Sequence, residues 1–228
     1  MKEENPFNDP GQAVGYESWY QTTGRRADRL EKKLLGRLLD DFPRARTLLE
    51  IGCGTAHFTR WFADRGLRVI GLDHARPMLA DAARRSQHPL VQGDALQLPF
   101  PDHSVDLAVL ITTLEFLSPP VMALAEALRV ARRGLILGVI NRCSLLGMRY
   151  KRSADSPWDA ARLFSPGELT CLVKEAAGTL SLEIHWRTTL FPILPHDLPL
   201  PWGGFIGLRA RIPPGAISEI SPETDWKP

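Results

Sequence analysis

Residues 48–58 read LLEIGCGTAHF, and this stretch decides the fold. Leu48 and Leu49 enter it as an apolar run, an acid stands at Glu50, and Gly52 and Gly54 follow. A helical pattern leaves it, with Phe58, Trp61 and Phe62 on its inner face. The stretch predicts a buried strand, a tight turn and the N-terminus of a helix. Such a turn brings backbone N–H groups close to a ligand, and glycine keeps a Cβ out of the way.

The same alternation continues downstream. Residues 67–72 (LRVIGL) predict a strand ending in Asp73, and Pro77 to Arg85 a short helix. Leu90 to Gln92 begins a third strand leading to Gly93-Asp94, and a proline-bearing loop covers 97–104. Asp106 opens an apolar strand over 107–112. Ser118-Pro119-Pro120 starts the next helix, and Arg132, Arg133 and Gly134 are expected to close it, cations and glycine at the C-terminal end. Leu135 to Ile140 is a further buried strand. Strands alternating with helices, without hairpin turns, imply right-handed crossovers into a parallel sheet.

The alternation breaks at 141–163, expected to be a long irregular insertion. Ser165-Pro166-Gly167-Glu168 is a capping box that starts a helix to Ala177. Residues 180–191 and 205–212 predict two strands with no helix between them, hence an antiparallel pair, joined by a proline-rich loop at 192–204. The expected architecture is α/β: a Rossmann-like, doubly wound seven-stranded sheet, mostly parallel with an antiparallel C-terminal strand pair, and helices on both faces.

Residues 1–43 read as an N-terminal lid segment and helix. Residues 1–12 are expected to be poorly ordered, Tyr16, Trp19 and Tyr20 form an aromatic cluster, and a helix at 24–41 carries Ala27, Leu30, Leu34, Leu35, Leu38 and Leu39 at helical spacing. The main domain covers 44–212, and 213–228 is a polar, loose tail. The chain has 228 residues, 44% apolar and 24% charged, with a net charge of +2. That balance gives no footprint for a nucleic-acid or membrane partner. Cys53, Cys143 and Cys171 form no C-x-x-C pair, so no disulfide framework and no metal site is expected. With no apolar run of the ~18–20 residues that span a bilayer and no signal-peptide core, a soluble, cytoplasmic protein is expected.

A dinucleotide fingerprint, G-x-G-x-x-G/A, matches only at Gly52 and Gly54, because His57 stands where the third small residue belongs. The reading therefore leans away from a nicotinamide cofactor. The chain resembles instead the class I S-adenosylmethionine-dependent methyltransferases, of the methyltransferase type 11 branch, over about residues 45–212. Their glycine turn, E/D-x-G-x-G-x-G, is matched by Glu50, Gly52 and Gly54, with Ala56 replacing the third glycine. In that family an acid ending the second strand holds both ribose hydroxyls, and Asp73 in VIGLDHARPML matches it. An acid after the third strand recognises adenine, and Asp94 in Gly93-Asp94-Ala95-Leu96 matches. The opening AVGYESWYQTTG is similar to members whose Tyr and Trp cover the cofactor, although Glu17 replaces the usual Asp beside Tyr16. The resemblance thus implies S-adenosylmethionine as cofactor, S-adenosylhomocysteine as product, and a cofactor site made of Tyr16, Trp19, Glu50, Gly52, Cys53, Gly54, Asp73, His74, Met78, Asp94, Ala95, Leu96, Ile111 and Thr112.

It also implies in-line methyl transfer to an acceptor, for which a small molecule is expected. Thr112-Thr113-Leu114-Glu115 replaces the N-P-P-Y loop of enzymes that methylate nucleobase amines, and no cysteine cluster of the arsenic-methylating kind is present. A non-catalytic, cofactor-binding regulatory or assembly subunit is the alternative; monomer and homodimer are both open. The acceptor pocket is expected from the N-terminal segment, the 141–163 insertion and the 192–204 loop. Catalytic candidates are Glu115, which otherwise reads as a solvated helix-entry residue, and His196 with Asp197. Arg142, Arg149, Lys151 and Arg152 offer a basic run that would steer an anionic acceptor.

Overall fold

The strand propensity of the apolar runs is realised as one sheet in the computed structural model, which describes residues 6–152, 158, 161–192 and 196–216. Its strands are β1 (Thr47–Ile51), β2 (Arg68–Asp73), β3 (Leu90–Gln92), β4 (Val105–Ile111), β5 (Ala131–Ile140), β6 (Glu183–Thr189) and β7 (Phe205–Arg211). Their order across the sheet is β3-β2-β1-β4-β5-β7-β6. The first five run parallel; β7 lies antiparallel against both β5 and β6. The chain reverses direction across the sheet beside β1, where β1 sits between β2 and β4. That junction is where the carboxyl ends of parallel strands leave a crevice.

The helices are α1 (Pro10–Gln21), α2 (Arg25–Leu39), α3 (His57–Ala63), α4 (Arg76–Arg85), α5 (Pro120–Val130), α6 (Leu145–Tyr150) and α7 (Pro166–Ala177). Parallel strands buried on both faces read as continuous apolar runs, and β4 is buried at every position. On one face Leu124, Leu128, Leu169 and Val173 of α5 and α7 pack against Ala108, Leu110 and Leu137. On the other, Leu34, Leu35 and Leu38 of α2 and Phe58 and Phe62 of α3 pack against Leu48, Leu107 and Val109. Each fully buried side chain of this kind contributes roughly 1.5–3 kcal/mol.

Asp106 ties the sheet's lower edge together. Its Oδ2 accepts from the Arg46 and Thr47 backbone N–H groups at 2.8 and 3.0 Å, and its Oδ1 lies 3.1 Å from Arg133 Nε. These partners offset the penalty of burial, and the Asp106 pKa is lowered. The capping box forms as read: Glu168 N–H donates to Ser165 Oγ at 3.3 Å, and Ser165 N–H donates to Glu168 Oε2 at 2.8 Å. Ser165→Ala should destabilise the protein by about 1 kcal/mol, a melting-temperature loss of about 2–4 °C for a chain this long. Calorimetry checks this, and an unchanged melting temperature would refute the cap's contribution.

Four expectations need correction. Arg132, Arg133 and Gly134 do not close α5, which stops at Val130 as β5 begins directly. Gly134, at φ 151°, sits where the β4–β5 register slips, and a Cβ there would run into the Ala210 carbonyl; that bulge, not a helix cap, is what requires glycine. The 141–163 segment is not wholly irregular: Ser144 accepts from Gly147 N–H and caps α6. Residues 6–8 form a short 3-10 turn and α1 starts at Pro10, so the N-terminal segment is ordered earlier than its polarity implied. Strand β4 begins at Val105, two residues before the apolar run, because Asp106 is accepted into the sheet by the partners just named. The expected loose tail from 217 onward, and residues 1–5, lie outside the described residues. No helix among the described residues is long and apolar enough to cross a membrane.

Candidate functional site

A cavity opens at the carboxyl ends of β1, β2 and β4, and its floor is the turn after β1. Gly52, at φ 74°, donates its N–H to the Leu72 carbonyl at 2.7 Å, as Cys53 does at 2.9 Å. A Cβ on Gly52 would collide with the Thr113 side chain, so the turn can approach the end of β4 only as glycine. Gly54, also at positive φ, faces open space where a Cβ would meet nothing within 4 Å. Ala56, the residue just before α3, lies in the left-handed region at φ 60°, a conformation that glycine adopts without the roughly 1–2 kcal/mol that a Cβ costs there.

Asp73 ends β2 and clamps this turn. Its Oδ2 accepts from Gly54 N–H and its Oδ1 from Ala75 N–H, both at 2.8 Å. Burial nevertheless raises its pKa, with those bonds opposing. Glu50 is 2% exposed, accepts from the Thr59 hydroxyl, and is pushed up to about 8 by burial. Burial likewise pushes the Cys53 thiol well up, so it is no nucleophile at neutral pH. Asp94 is exposed, with its Oδ1 accepting from Leu96 N–H at 2.9 Å.

Of the residues named from the sequence, Tyr16, Glu50, Gly52, Cys53, Gly54, Asp73, His74, Met78, Asp94, Ala95, Ile111 and Thr112 all line this cavity. Trp19 and Leu96 do not. Trp19 packs edge-on to Tyr20 at 5.1 Å and fills the space beside Gly24, and Leu96 packs onto the core under α5. Additional lining comes from Tyr20, His57, Thr113, Phe116 and Leu117. Tyr20 belongs to the aromatic cluster visible in the sequence, whereas nothing in Phe116 or Leu117 marks them out before the 3-10 turn at Leu114–Phe116 is placed.

Helix α1 is locked over one side of the cavity. Glu17, the substitution beside Tyr16, is buried and accepts from Thr55 Oγ1 at 2.9 Å and Arg60 Nη2 at 2.6 Å. Those partners and His57 overcome desolvation and lower its pKa to about 2. His57 stacks on Tyr20 at 3.7 Å and lies 2.7 Å from Asp28 Oδ1. The residue that spoils the dinucleotide fingerprint is thus the contact that joins α3 to α1 and α2. Tyr16 Oη reaches Thr112 Oγ1 at 3.3 Å and accepts from Tyr20 Oη at 3.2 Å.

A second cavity, of about 630 Å³, lies on the other side of Tyr16 and shares Phe7, Tyr16, Tyr20 and Thr112 with the first. Its walls include Trp19, Tyr150 and Trp158, the last two stacked at 4.8 Å, and Glu31. The N-terminal segment contributes to it, as do Leu146, Arg149, Tyr150 and Trp158 of the 141–163 segment. No described residue of the 192–204 loop does, and residues 193–195 lie outside the described ones.

The catalytic candidates fare differently. Glu115 is not a solvated helix-entry residue: it is 2% exposed, its Oε1 accepts from Ile140 N–H at 2.7 Å, and its Oε2 is buried without a partner among the described residues. It lines neither cavity. The sequence hid this because the turn folds under β5, a tertiary contact. His196 is exposed beside Asp28 and Lys32, on the outer side of α2. Asp197 is buried against Arg187 at 2.5 Å and Arg37 at 3.0 Å, a structural ion pair rather than a base. In the basic run, Arg142 pairs with Glu168 at 2.9 Å and Lys151 Nζ donates to the Ala161 carbonyl at 2.6 Å, whereas Arg149 lines the second cavity.

Residues 49–138 match the family model of a methyltransferase domain. Over 92 residues, 40% of this chain, the sequence is 41% identical to the malonyl-[acyl-carrier protein] O-methyltransferase of Serratia marcescens, of whose length the match covers 36%. Over 168 residues it is 31% identical to an uncharacterized protein of Methanocaldococcus jannaschii, covering 72% of this chain and 77% of the relative. Among solved structures it is similar to a SAM-dependent methyltransferase, a possible histamine N-methyltransferase, of Thermotoga maritima. That likeness has a TM-score of 0.76 and 29% identity, and covers 90% of this chain and 98% of the other.

Proposed function

We propose a function from one premise: this chain belongs to the class I S-adenosylmethionine-dependent methyltransferases, in the type 11 branch, and its cofactor is S-adenosylmethionine. The proposed reaction is methyl transfer to a small-molecule acceptor. The observation that carries it is the convergence of Glu50, Asp73 and Asp94 with the open face of Gly54 on one cavity at the carboxyl edge of the sheet. The donor set fits the cofactor. Asp73 retains lone pairs beyond its two backbone bonds for a pair of hydroxyls, Asp94 is free to accept from an exocyclic amine, and Glu50, protonated in the ligand-free protein, becomes a carboxylate when a cationic ligand favours its charged form.

When bound, S-adenosylmethionine supplies a methyl group already activated by the sulfonium. The chain's own residues then bind, orient and exclude water. Asp73 and the Gly52–Gly54 turn fix the nucleoside end, and Glu50 the cationic end. Tyr16 and Thr112, which border both cavities, set the boundary across which acceptor and methyl donor meet. Helix α1, with Tyr16, Glu17 and Tyr20, serves as the cover. Since Glu17 and Tyr20 are themselves buried, removing the whole segment would also uncover core, so point substitutions are the better probe of a lid. One relative is named for malonyl-[acyl-carrier protein] and the solved structure as a possible histamine N-methyltransferase, so the acceptor is sought in this chain's own second cavity.

Titration calorimetry with S-adenosylmethionine and S-adenosylhomocysteine tests the reading. Micromolar or tighter binding of both is expected, and methyl transfer to a pooled small-molecule panel should follow by mass spectrometry. Absence of binding by either compound would overturn it.

A further inference from the structure

We infer that the second cavity is a recognition site for a small organic amine, with Glu31 taking the ammonium group and the aromatic walls taking the apolar body. This rests on the methyltransferase reading, since it makes the amine the acceptor-side ligand of the same enzyme.

Glu31 is only 4% exposed yet belongs to the lining of this cavity. Burying a carboxyl among aromatic and aliphatic groups is costly unless a partner compensates. The influences on it are burial first, then the charges of Asp28, Lys32 and Glu115, with no hydrogen bond among them. Lys32 is committed elsewhere: its Nζ lies 3.0 Å from Asp28 Oδ2 and 2.9 Å from His57 Nε2. Tyr16 and Tyr20 of α1 face Glu31 but spend their hydroxyls on each other and on Thr112. Among the described residues that line the cavity Glu31 is the one acid, and its carboxyl forms no hydrogen bond or ion pair with a described residue.

The surroundings match a cation of this kind. Tyr16, Trp19, Tyr20, Tyr150 and Trp158 line the same space, and aromatic faces attract a desolvated ammonium beyond simple apolar contact. The two arginines of the lining do not contradict it. Arg26 and Arg149 are both exposed, and Arg26 Nη2 donates to the Phe191 carbonyl at 3.0 Å. Positive charge thus sits at the rim and the acid in the interior. At neutral pH Glu31, pushed up to about 8, holds its proton in the ligand-free protein; an ammonium would favour the carboxylate and release that proton.

The probes are 2-phenylethylamine, its neutral counterpart 2-phenylethanol and the anion phenylacetate, titrated at pH 7 into full-length protein saturated with S-adenosylhomocysteine. The amine should bind at least about tenfold more tightly than either counterpart. Repeating the titration in buffers of different ionisation enthalpy should show up to one proton released with the amine and none with the alcohol. Glu31→Gln should abolish both the preference and the proton release while leaving S-adenosylhomocysteine affinity unchanged. Equal binding of amine and alcohol, preference for phenylacetate, or a preference that survives Glu31→Gln would overturn the inference. Failure of S-adenosylhomocysteine to bind would instead overturn the methyltransferase reading, a distinct result in the same experiment.

Discussion

Asp73→Ala should weaken S-adenosylhomocysteine binding by about 100-fold or more, equivalent to roughly 2.7 kcal/mol. Two losses combine. The proposed bonds to the ribose hydroxyls disappear, each charge-assisted bond contributing about 1.5–3 kcal/mol. The turn itself also loses its anchor, because Gly54 N–H and Ala75 N–H both donate to this carboxylate at 2.8 Å. Asp73→Asn keeps one acceptor oxygen and should fall between wild type and alanine. Calorimetric titration gives the affinities, and circular dichroism of each variant separates a lost site from a lost fold. A folded Asp73→Ala protein that binds within about threefold of wild type would remove Asp73 from the cofactor site.

The stability of the ligand-free protein should decline as pH rises from about 5 to 8. Glu31, Glu50 and Glu115 are each pushed up to about 8 from an ordinary 4.5, burial being the main cause for all three. A carboxyl with a raised pKa in the folded state keeps a proton that the unfolded chain has released. Its stabilising contribution is therefore complete below pH 4.5 and is lost as pH climbs through 8, at up to about 1.4 kcal/mol per pH unit per group. Glu17 works the other way. Its pKa is lowered to about 2, so its contribution is present above pH 4.5 and lost as pH falls towards 2. The optimum should lie near pH 5, with the melting temperature several degrees lower at pH 8. Glu115→Gln removes one ionisable group whose Oε2 lacks a partner among the described residues, and also removes a charge acting on Glu31. That variant should show a flatter profile and exceed wild type at pH 8 by about 1 kcal/mol or more. Thermal scans at pH 5, 6.5 and 8 check both statements. A melting temperature that rises over that range, or a variant profile that overlays wild type, would overturn the assignment.

The fold was legible wherever local chemistry decides the outcome. Apolar runs of strand length, the glycines of GCG, the prolines at helix starts and the Ser165–Glu168 box act within a few residues, and each produced the element it predicts. Where neighbours in space decide, local rules misled. Arg132 and Arg133 look like a helix end, but Asp106 draws them into β5. Glu115 looks solvated, but the 3-10 turn tucks it beneath Ile140. His196 and Asp197 look like candidates for a base, but one faces outward over α2 and the other is paired with two arginines.

The candidate site divides the same way. Glu50, Gly52, Gly54, Asp73 and Asp94 could be named in advance because a parallel sheet delivers the ends of its strands to one edge, so spacing along the chain becomes proximity in space. Glu31 carried a weaker signal: it stands four residues after Ala27 and four before Leu35, on the apolar face of α2, where a carboxylate needs a reason. That reason is a cavity formed by α1, α2, α6 and Trp158 together, and no periodicity along one helix reveals what another helix leaves open. The sequence alone therefore determined the sheet, the turn and the acids and glycines that meet at one cavity, which local propensity and strand order dictate. The second cavity and its buried acid were decided only by tertiary packing, because burial and the absence of a partner are properties of the surroundings and not of the residue.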